Sequence, residues 1–428
     1  MISLLLILLP LLTGLAAFFI KDEKLARTWA VLASFATLTI AILSLCCMND
    51  TKSLNYHCEW LPSLGASFSL KMDGVAQLLC LLNTIAYPLV FIAGWDKTYK
   101  NAKNFFVLIL LAQAGIMGVF LAADALLFYF FWELALIPMY FLCSQWGGEK
   151  RVAVTFKFFI YTFIGEQAPT ATTMILSGVM VKMGVFGLIR WLFPIFSTAS
   201  FVWGDVITLI TIIGMIYASL IALRQDDLKR LVAYSSIAHI GLLCAGMFTQ
   251  NASGMQGVMI QMFSHGINII GLWIVVDWIE RKTGTRKMSE LGGLAQKAPA
   301  LTIFFVIIAL ANIALPLTNA FVGEFLIFNG LLGSFTLYNV WYTVLAGVCI
   351  ILGAAYTLRM IRKVAYGEVN ELTANVSDIS INGKLALGII VVLILAAGIY
   401  PQPILDLTSG STDSLVDKFD IIRKALLK

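Results

Sequence analysis

The sequence contains little charge for its length. Only 12% of its 428 residues are Asp, Glu, Lys or Arg, whereas 60% are hydrophobic. This balance lies far outside the range of soluble globular domains. The net charge of +5 falls mostly in short loops, and no basic stripe is interleaved with aromatic residues, which argues against nucleic-acid binding. The composition therefore predicts an all-α polytopic membrane protein in contact with the lipid bilayer.

Metal-binding cysteine patterns and a signal-peptide pattern are also lacking. The seven Cys residues fall mostly within apolar runs, with no CxxC and no Cys/His cluster at metal spacing. We therefore expect neither a metal site nor a bound cofactor in this chain. The N-terminal stretch MISLLLILLPLLTGLAAFFI has no basic residues ahead of its apolar core, which predicts a first membrane helix that is not cleaved off.

Long apolar runs are abundant, and about 17 to 25 such residues suffice to cross about 30 Å of hydrocarbon as a helix. Thirteen candidate runs occur, at residues 2–20, 28–47, 75–95, 104–121, 123–143, 154–164, 171–195, 204–223, 231–248, 255–278, 299–332, 338–360 and 384–400. The run 154–164 is too short to cross. The long run 299–332 contains Pro316 and Asn319, which weaken a helix. We expect it to form two half-helices with an unwound middle.

Basic residues in the loops test this count. Lys and Arg cluster after the first, third and fifth runs, but later after the eighth, tenth and twelfth. Basic loops lie in the cytoplasm, and each helix reverses sides, so an odd number of crossings is missing in between. We infer that one helix and its loops are absent at Gly165/Glu166, through omission from the sequence or true deletion. The complete chain would then have fourteen helices and both termini on the outer side.

Five titratable groups lie near the middle of the apolar runs, where charged side chains cost about 2.5 to 3.5 kcal/mol each on insertion scales. They are Glu133, Lys182, His239, His265 and Glu324. Any one of them has a structural interpretation, as an ion-pair member or a satisfied core residue. Together, carboxylate, amine and imidazole groups each take or release one proton, whereas a cation site would need several converging oxygens. The set predicts a proton relay.

The relay interpretation makes geometric predictions. The five groups should point inward in one layer near mid-membrane, with neighbours about 6 to 12 Å apart, too far for direct hydrogen bonds and suited to bridging waters. Lys157, near the start of the short run, is a weaker candidate, because snorkelling to the interface accounts for it.

Seven stretches carry a family resemblance that runs almost continuously from about residue 104 to 407. They are FYFFWELALIPMYFL, KFFIYT, QAPTATTMILSGVMVKMGVFGLIRW, QDDLKRLVAYSSIAHIG, QMFSHGINIIG, NAFVGEFLIFNG and YPQPILD. They resemble the antiporter-like subunit M family of respiratory complex I, the NADH:quinone oxidoreductase. The QAPT stretch alone would also suit the related multi-subunit cation/proton antiporters, whereas the Trp132–Glu133 pair and VGEFLI favour subunit M.

The resemblance implies an antiporter-like fold of about 14 helices with inverted repeats, each containing a broken helix. In this numbering it implies three N-terminal helices in 1–103, an incomplete first repeat in 104–203, a second repeat in 204–363, and a final helix and tail in 364–428. It assigns the proton path to Glu133, Lys182, His239, His265 and Glu324. A further family lysine, on the first broken helix, is absent from this chain at the Gly165/Glu166 junction.

The resemblance also implies a function, namely proton translocation as a membrane-arm subunit of complex I in a bacterial inner membrane. Neighbouring antiporter-like subunits would be its partners. Flavin and iron–sulfur clusters would belong to other subunits, with no redox chemistry in this chain. The alternatives are a subunit of a cation/proton antiporter or of a membrane-bound hydrogenase, and a passive helix bundle within the membrane arm.

Overall fold

The computed structural model of the chain describes residues 1–47, 51–148 and 168–426. Within these ranges, 11 helices are long and apolar enough to cross a membrane, and two shorter apolar helices accompany them. The prediction of a helical, multi-pass membrane protein is confirmed. The chain divides into two compact units, Met1–Phe186 and Gly187–Lys428. The division into repeats at residues 103, 203 and 363 stays a prediction.

The first unit contains helices and a β-hairpin. Its helices are α1 (Ile2–Ala16), α2 (Glu23–Cys46), α3 (Gly74–Ala93), α4 (Ala102–Leu121), α5 (Ala125–Trp146) and the larger part of α6 (Thr170–Ile195). Strands β1 (Tyr56–Leu61) and β2 (Ala66–Leu70) pair in antiparallel fashion. The all-α prediction missed this hairpin, whose turn includes Gly65 at a left-handed φ of 66° that suits glycine.

Close packing of α4 against α5 orients the helix that carries Glu133. A Cβ atom on Gly115 would collide with the backbone of Ala135, and one on Gly118 would collide with the ring of Phe131. Small residues let two membrane helices approach to backbone distance. The face of α5 with Phe131 and Ala135 is therefore fixed against α4.

The second unit is organised around one long buried helix. After the end of α6 come α7 (Gly204–Arg224), α8 (Leu228–Met247), α9 (Ala252–Thr283), α10 (Pro299–Asn312), α11 (Asn319–Leu332), α12 (Asn339–Ala365), α13 (Ile381–Ile399) and α14 (Gln402–Leu426). The membrane-spanning window of α9 is completely buried, because α8, α10, α11, α13 and α14 all pack on it.

The predicted break in the long run 299–332 is confirmed. Helix α10 ends at Asn312, and α11 begins at Asn319. In the unwound segment 313–318, Ala314 and Leu317 take left-handed φ angles of 56° and 74°. Pro316, between them, has no N–H to donate to a helical ladder.

The C-terminal tail contains a helix that the search for apolar runs did not predict. This helix is α14. Its Leu415 and Phe419 side chains are buried, and the ring centre of Phe419 lies 5.3 Å from that of Phe193. Its polar composition hid this amphipathic helix from a search for apolar runs. The predicted short run 154–164 and the predicted missing helix at Gly165/Glu166 lie outside the described residues.

Candidate functional site

His239 and Glu324 form the centre of a buried polar cluster in the second unit. The Nδ1 atom of His239, on α8, lies 3.5 Å from Oε1 of Glu324, on α11. The predicted separation of about 6 to 12 Å, set by water bridges, is wrong for this pair. Because the chain unwinds after Asn312 and restarts at Asn319, the second half-helix packs directly on α8 and brings its carboxylate to the imidazole.

Helix α9 adds a second histidine and an amide to this cluster. His265 is 1% exposed, and its ring centre lies 5.4 Å from that of His239. Its Nε2 is 3.1 Å from the hydroxyl of Ser236. Gln261, one helical turn away, donates from Nε2 to Oε1 of Glu324 at 3.4 Å. The predicted grouping of His239, His265 and Glu324 is therefore present within this unit.

A chain of neutral polar groups continues from His239 to α12. Nδ2 of Asn312, the last residue of α10, lies 3.4 Å from Nε2 of His239 and 3.3 Å from Oγ of Ser235. The Ser235 hydroxyl in turn lies 2.9 Å from the phenolic oxygen of Tyr356. The sequence of contacts Tyr356, Ser235, Asn312, His239, Glu324 is thus continuous.

A small cavity adjoins this series of polar side chains. It has a volume of about 30 Å³, and His239, Glu324, Cys349 and Tyr356 are among the residues that line it. Most of its lining is apolar, but His239, Glu324 and Tyr356 give it polar groups, and a space of this size beside such groups can hold an ordered water. A water there would offer protons a path to the pair, whereas the amide nitrogen of Asn312 donates to both of its neighbours and relays no proton between them.

Lys182 occupies the centre of α6 in the first unit. Its side chain is 0% exposed, and Nζ donates to the backbone carbonyl of Ser177 at 2.9 Å. Two π-helical turns, Leu176–Met180 and Leu188–Leu192, flank the α-helical turns that carry it. Such turns are rare and are frequent at functional sites. The predicted inward orientation of Lys182 is found.

Glu133 does not point inward as predicted. It is half-buried and hydrogen-bonds to Tyr129, one turn earlier. It shares its helix face with exposed side chains, namely Leu126, Phe130, Ile137 and Phe141. The physical reason is the glycine-mediated contact with α4, which takes up the opposite face of α5. Lys157, the weaker candidate, lies outside the described residues.

The sequence interpretation missed several members of the cluster. Ser235 and Ser236 precede His239 by one helical turn, and Gln261 precedes His265 by one turn, so helical spacing could have revealed them. Asn312 had a weaker signal, its position shortly before Pro316 in the unwound segment. Nothing in the local sequence marks Tyr356, since its partner Ser235 comes from a distant helix. The prediction that all five groups share one layer of the membrane concerns residues of both units, and it stays a prediction.

The chemistry of the cluster is that of proton exchange. A carboxylate and an imidazole nitrogen in contact can share or pass one proton. Glu324 supplies few oxygens for a cation, and the metal-ligating residue types form no cluster in the part of the chain that the structure describes. A buried lysine in the first unit offers another group that binds and releases one proton.

Comparisons with known proteins show the family to which the sequence is similar. The family model described as NADH:quinone oxidoreductase/Mrp antiporter, TM matches residues 122–167 and 165–353. Subunit M of the F(420)H(2) dehydrogenase of Methanosarcina mazei is 30% identical over 492 residues, covering 96% of this chain and 97% of its own. NADH-quinone oxidoreductase subunit M of Rhodobacter capsulatus is 30% identical, with 93% of this chain and 91% of its own covered.

Solved structures share the fold. A chain of respiratory complex I from Thermus thermophilus superposes with a TM-score of 0.84 at 21% identity, over 98% of this chain and 100% of its own. A chain of the Mrp complex from Dietzia sp. DQ12-45-1b also reaches 0.84, at 17% identity, over 99% of this chain and 98% of its own. At these identities the likeness establishes the antiporter-like fold.

The comparisons also bear on the Gly165/Glu166 junction. The family match ends at 167 and restarts at 165, which is where the loop charges predict a missing crossing. The alignment with the Methanosarcina mazei subunit spans 492 positions, more than the 428 residues of this chain. That relative therefore has segments with no counterpart here.

Proposed function

Because this chain belongs to the family of NADH:quinone oxidoreductase and Mrp antiporter transmembrane subunits, we propose that it translocates protons as a membrane-arm subunit of an NADH:quinone oxidoreductase. The observation that carries the proposal is the contact between His239 Nδ1 and Glu324 Oε1, 3.5 Å long and set in a buried polar cluster. A passive helix bundle has no need of two histidines, a carboxylate and an amide at the core of its packed helices, where burying such groups is costly.

Each unit contributes its own proton-binding group to the proposed relay. Lys182 is the group of the first unit, held by the carbonyl of Ser177 between two π-helical turns. His239, His265 and Glu324 are the groups of the second. Backbone that is unwound at membrane depth, as in segment 313–318, is tolerated where it lines a cavity, and the cavity beside Glu324 meets that condition.

The position of Glu133 supports assembly with other subunits. A carboxylate on an outward face near mid-membrane would be costly against lipid. A neighbouring protein subunit that covers Leu126, Phe130 and Ile137 would remove that cost. We propose that other membrane-arm subunits, including antiporter-like ones, pack on this face of α5.

Redox chemistry belongs, in this proposal, to partner subunits that hold flavin and iron–sulfur clusters. This chain would respond to electron transfer through its contacts in the membrane arm. The family likeness supports placement in a bacterial inner membrane, and the loop charges together with the inferred missing helix support both termini on the outer side. A subunit of a cation/proton antiporter is the second candidate, favoured by the match to the Mrp complex.

The proposal is tested by replacing Lys182 with Met in the assembled complex. Inverted membrane vesicles given NADH are monitored for quinone-dependent NADH oxidation and for acidification of the lumen. We expect K182M to abolish or strongly reduce acidification. Lys418→Met, at an exposed position of α14, is the matched control and should acidify normally. Normal acidification by K182M would favour the scaffold, and sodium-dependent transport without NADH oxidation would favour the antiporter.

A further inference from the structure

We propose that Asn312 is a positioning residue that keeps the proton of neutral His239 on Nδ1, facing Glu324, and that Nε2 becomes free to bind a proton only when the unwound segment 313–318 moves. This inference deepens the proposed function and rests on it for its role in transport. The protonation state it assigns to His239 can nevertheless be measured without any transport assay.

The assignment follows from the donors around the ring. The side-chain nitrogen of Asn312 lies 3.4 Å from Nε2 of His239, and an amide nitrogen donates but never accepts. Nε2 must therefore present its lone pair to Asn312. In a neutral imidazole the other nitrogen then carries the hydrogen. That nitrogen, Nδ1, is the one 3.5 Å from Oε1 of Glu324.

The opposite orientation of the Asn312 amide is disfavoured by the carboxylate. If its oxygen faced the ring, Nε2 would carry the hydrogen and Nδ1 would aim a lone pair at Oε1 of Glu324. An ionised carboxylate only accepts hydrogen bonds, so the two acceptors would repel each other. Ser235 completes the arrangement, since its Oγ accepts from Asn312 at 3.3 Å and also bonds Tyr356 at 2.9 Å.

The place of Asn312 in the fold couples this hydrogen bond to the break. Asn312 is the last residue of α10, and two left-handed residues, Ala314 and Leu317, follow it in the unwound segment. Because Asn312 adjoins that segment directly, a movement of the segment would displace the Asn312 amide from Nε2 of His239.

The proton balance of the step is simple. His239 gives the Nδ1 proton to the carboxylate of Glu324, and Nε2 takes one proton from a hydrated proton in the adjoining cavity. The ring is neutral before and after, with its hydrogen moved from Nδ1 to Nε2. Nε2 cannot take up its proton while the Asn312 N–H points at it, because two donors would then face each other.

The test is ¹⁵N solid-state NMR of the full chain, labelled at histidine and embedded in lipid bilayers. The chain has only 3 His residues, so the loss of signals in His239→Gln assigns the ring of interest. We expect a protonated Nδ1 and an unprotonated Nε2 at His239. In N312D the side chain accepts instead of donating, so Nε2 should gain a hydrogen while Nδ1 keeps its own toward Glu324, and the ring should show both nitrogens protonated. Asn329→Asp, an exposed change on α11, should leave the His239 spectrum unchanged.

Folding of the variant is checked in the same spectrum, since the His265 signals report the separate contact with Ser236 and should stay in place. A wild-type His239 protonated on Nε2 would overturn the inference. So would an unchanged His239 spectrum in N312D with intact His265 signals. If the tautomer is as stated but His239→Gln translocates protons normally, the relay of the proposed function fails while the positioning by Asn312 stands.

Discussion

Oε1 of Glu324 lies 3.5 Å from Nδ1 of His239, and the same oxygen accepts the amide hydrogen of Gln261 at 3.4 Å. Three helices, α8, α9 and α11, thus converge on one carboxylate oxygen. A buried charge is tolerated when donors surround it, and removing one donor is costly because the charge remains. The pair is therefore held in place by polar contacts as well as by packing.

Replacing Gln261 with Leu should destabilise the second unit by about 1.5 to 3 kcal/mol, the range for a hydrogen bond to a charged group. Thermal or denaturant unfolding of the purified chain in detergent measures the change. Gln113→Leu is the matched control, since that buried Gln has no hydrogen-bond partner for either side-chain polar atom among the described residues. Gln113→Leu should be neutral or stabilising. Equal effects of the two changes would contradict a bond between Gln261 and Glu324.

The contact between α4 and α5 predicts a steric effect. In Gly118→Leu the new side chain would enter the space of the Phe131 ring, and overpacking of this kind typically costs about 1 to 3 kcal/mol. Leu at Gly214, where an added Cβ meets nothing within 4 Å, is the control. Loss of stability in the first variant alone is expected in a detergent unfolding assay. If both variants are as stable as the parent, α4 and α5 do not pack at backbone distance.

The junction between the hairpin and α5 predicts a pH dependence. Burial raises the pKa of Asp124, but hydrogen bonds from the backbone N–H groups of Ser67, Leu127 and Leu126 outweigh it, and the net pKa lies below its usual 3.8. A lowered folded-state pKa contributes stability that is complete above the unfolded-state value and is lost as pH falls through the folded-state value. We expect unfolding temperatures that are constant at neutral pH and fall below about pH 4.

Asp124→Asn tests this explanation. The amide keeps an oxygen that can accept from the N-terminus of α5, but it cannot ionise. The variant should be less stable than the parent at neutral pH, and the difference should shrink below about pH 4. A constant difference across this range would assign the acid sensitivity to other carboxylates.

Much of the architecture could be predicted from the sequence because the length and apolarity of a run are enough to identify a membrane helix. The break in the run 299–332 was also predictable, since Pro316 cannot donate to the helical ladder. Short strands such as β1 and an amphipathic helix such as α14 carry no such signal. Their hydrophobic faces depend on the neighbours against which they pack.

The candidate site also has residues that the sequence could identify and residues that it could not. His239, His265 and Glu324 could be identified because titratable groups are rare at membrane depth. Tyr356 could not, because its contact with Ser235 arises only when α8 and α12 come together. The outward face of Glu133 was unpredictable for a similar reason, since glycines on α4 decide which side of α5 is covered.

The central claim, that this chain moves protons through Glu324, is tested most directly by the number of protons translocated per NADH oxidised. The measurement uses the assembled complex in inverted vesicles and compares Glu324→Gln with Glu324→Asp and the parent. Gln retains the size and an acceptor oxygen for Gln261 but cannot bind a proton, so the ratio should fall, whereas Asp should retain part of it. An unchanged ratio in a fully assembled Glu324→Gln complex would contradict the account.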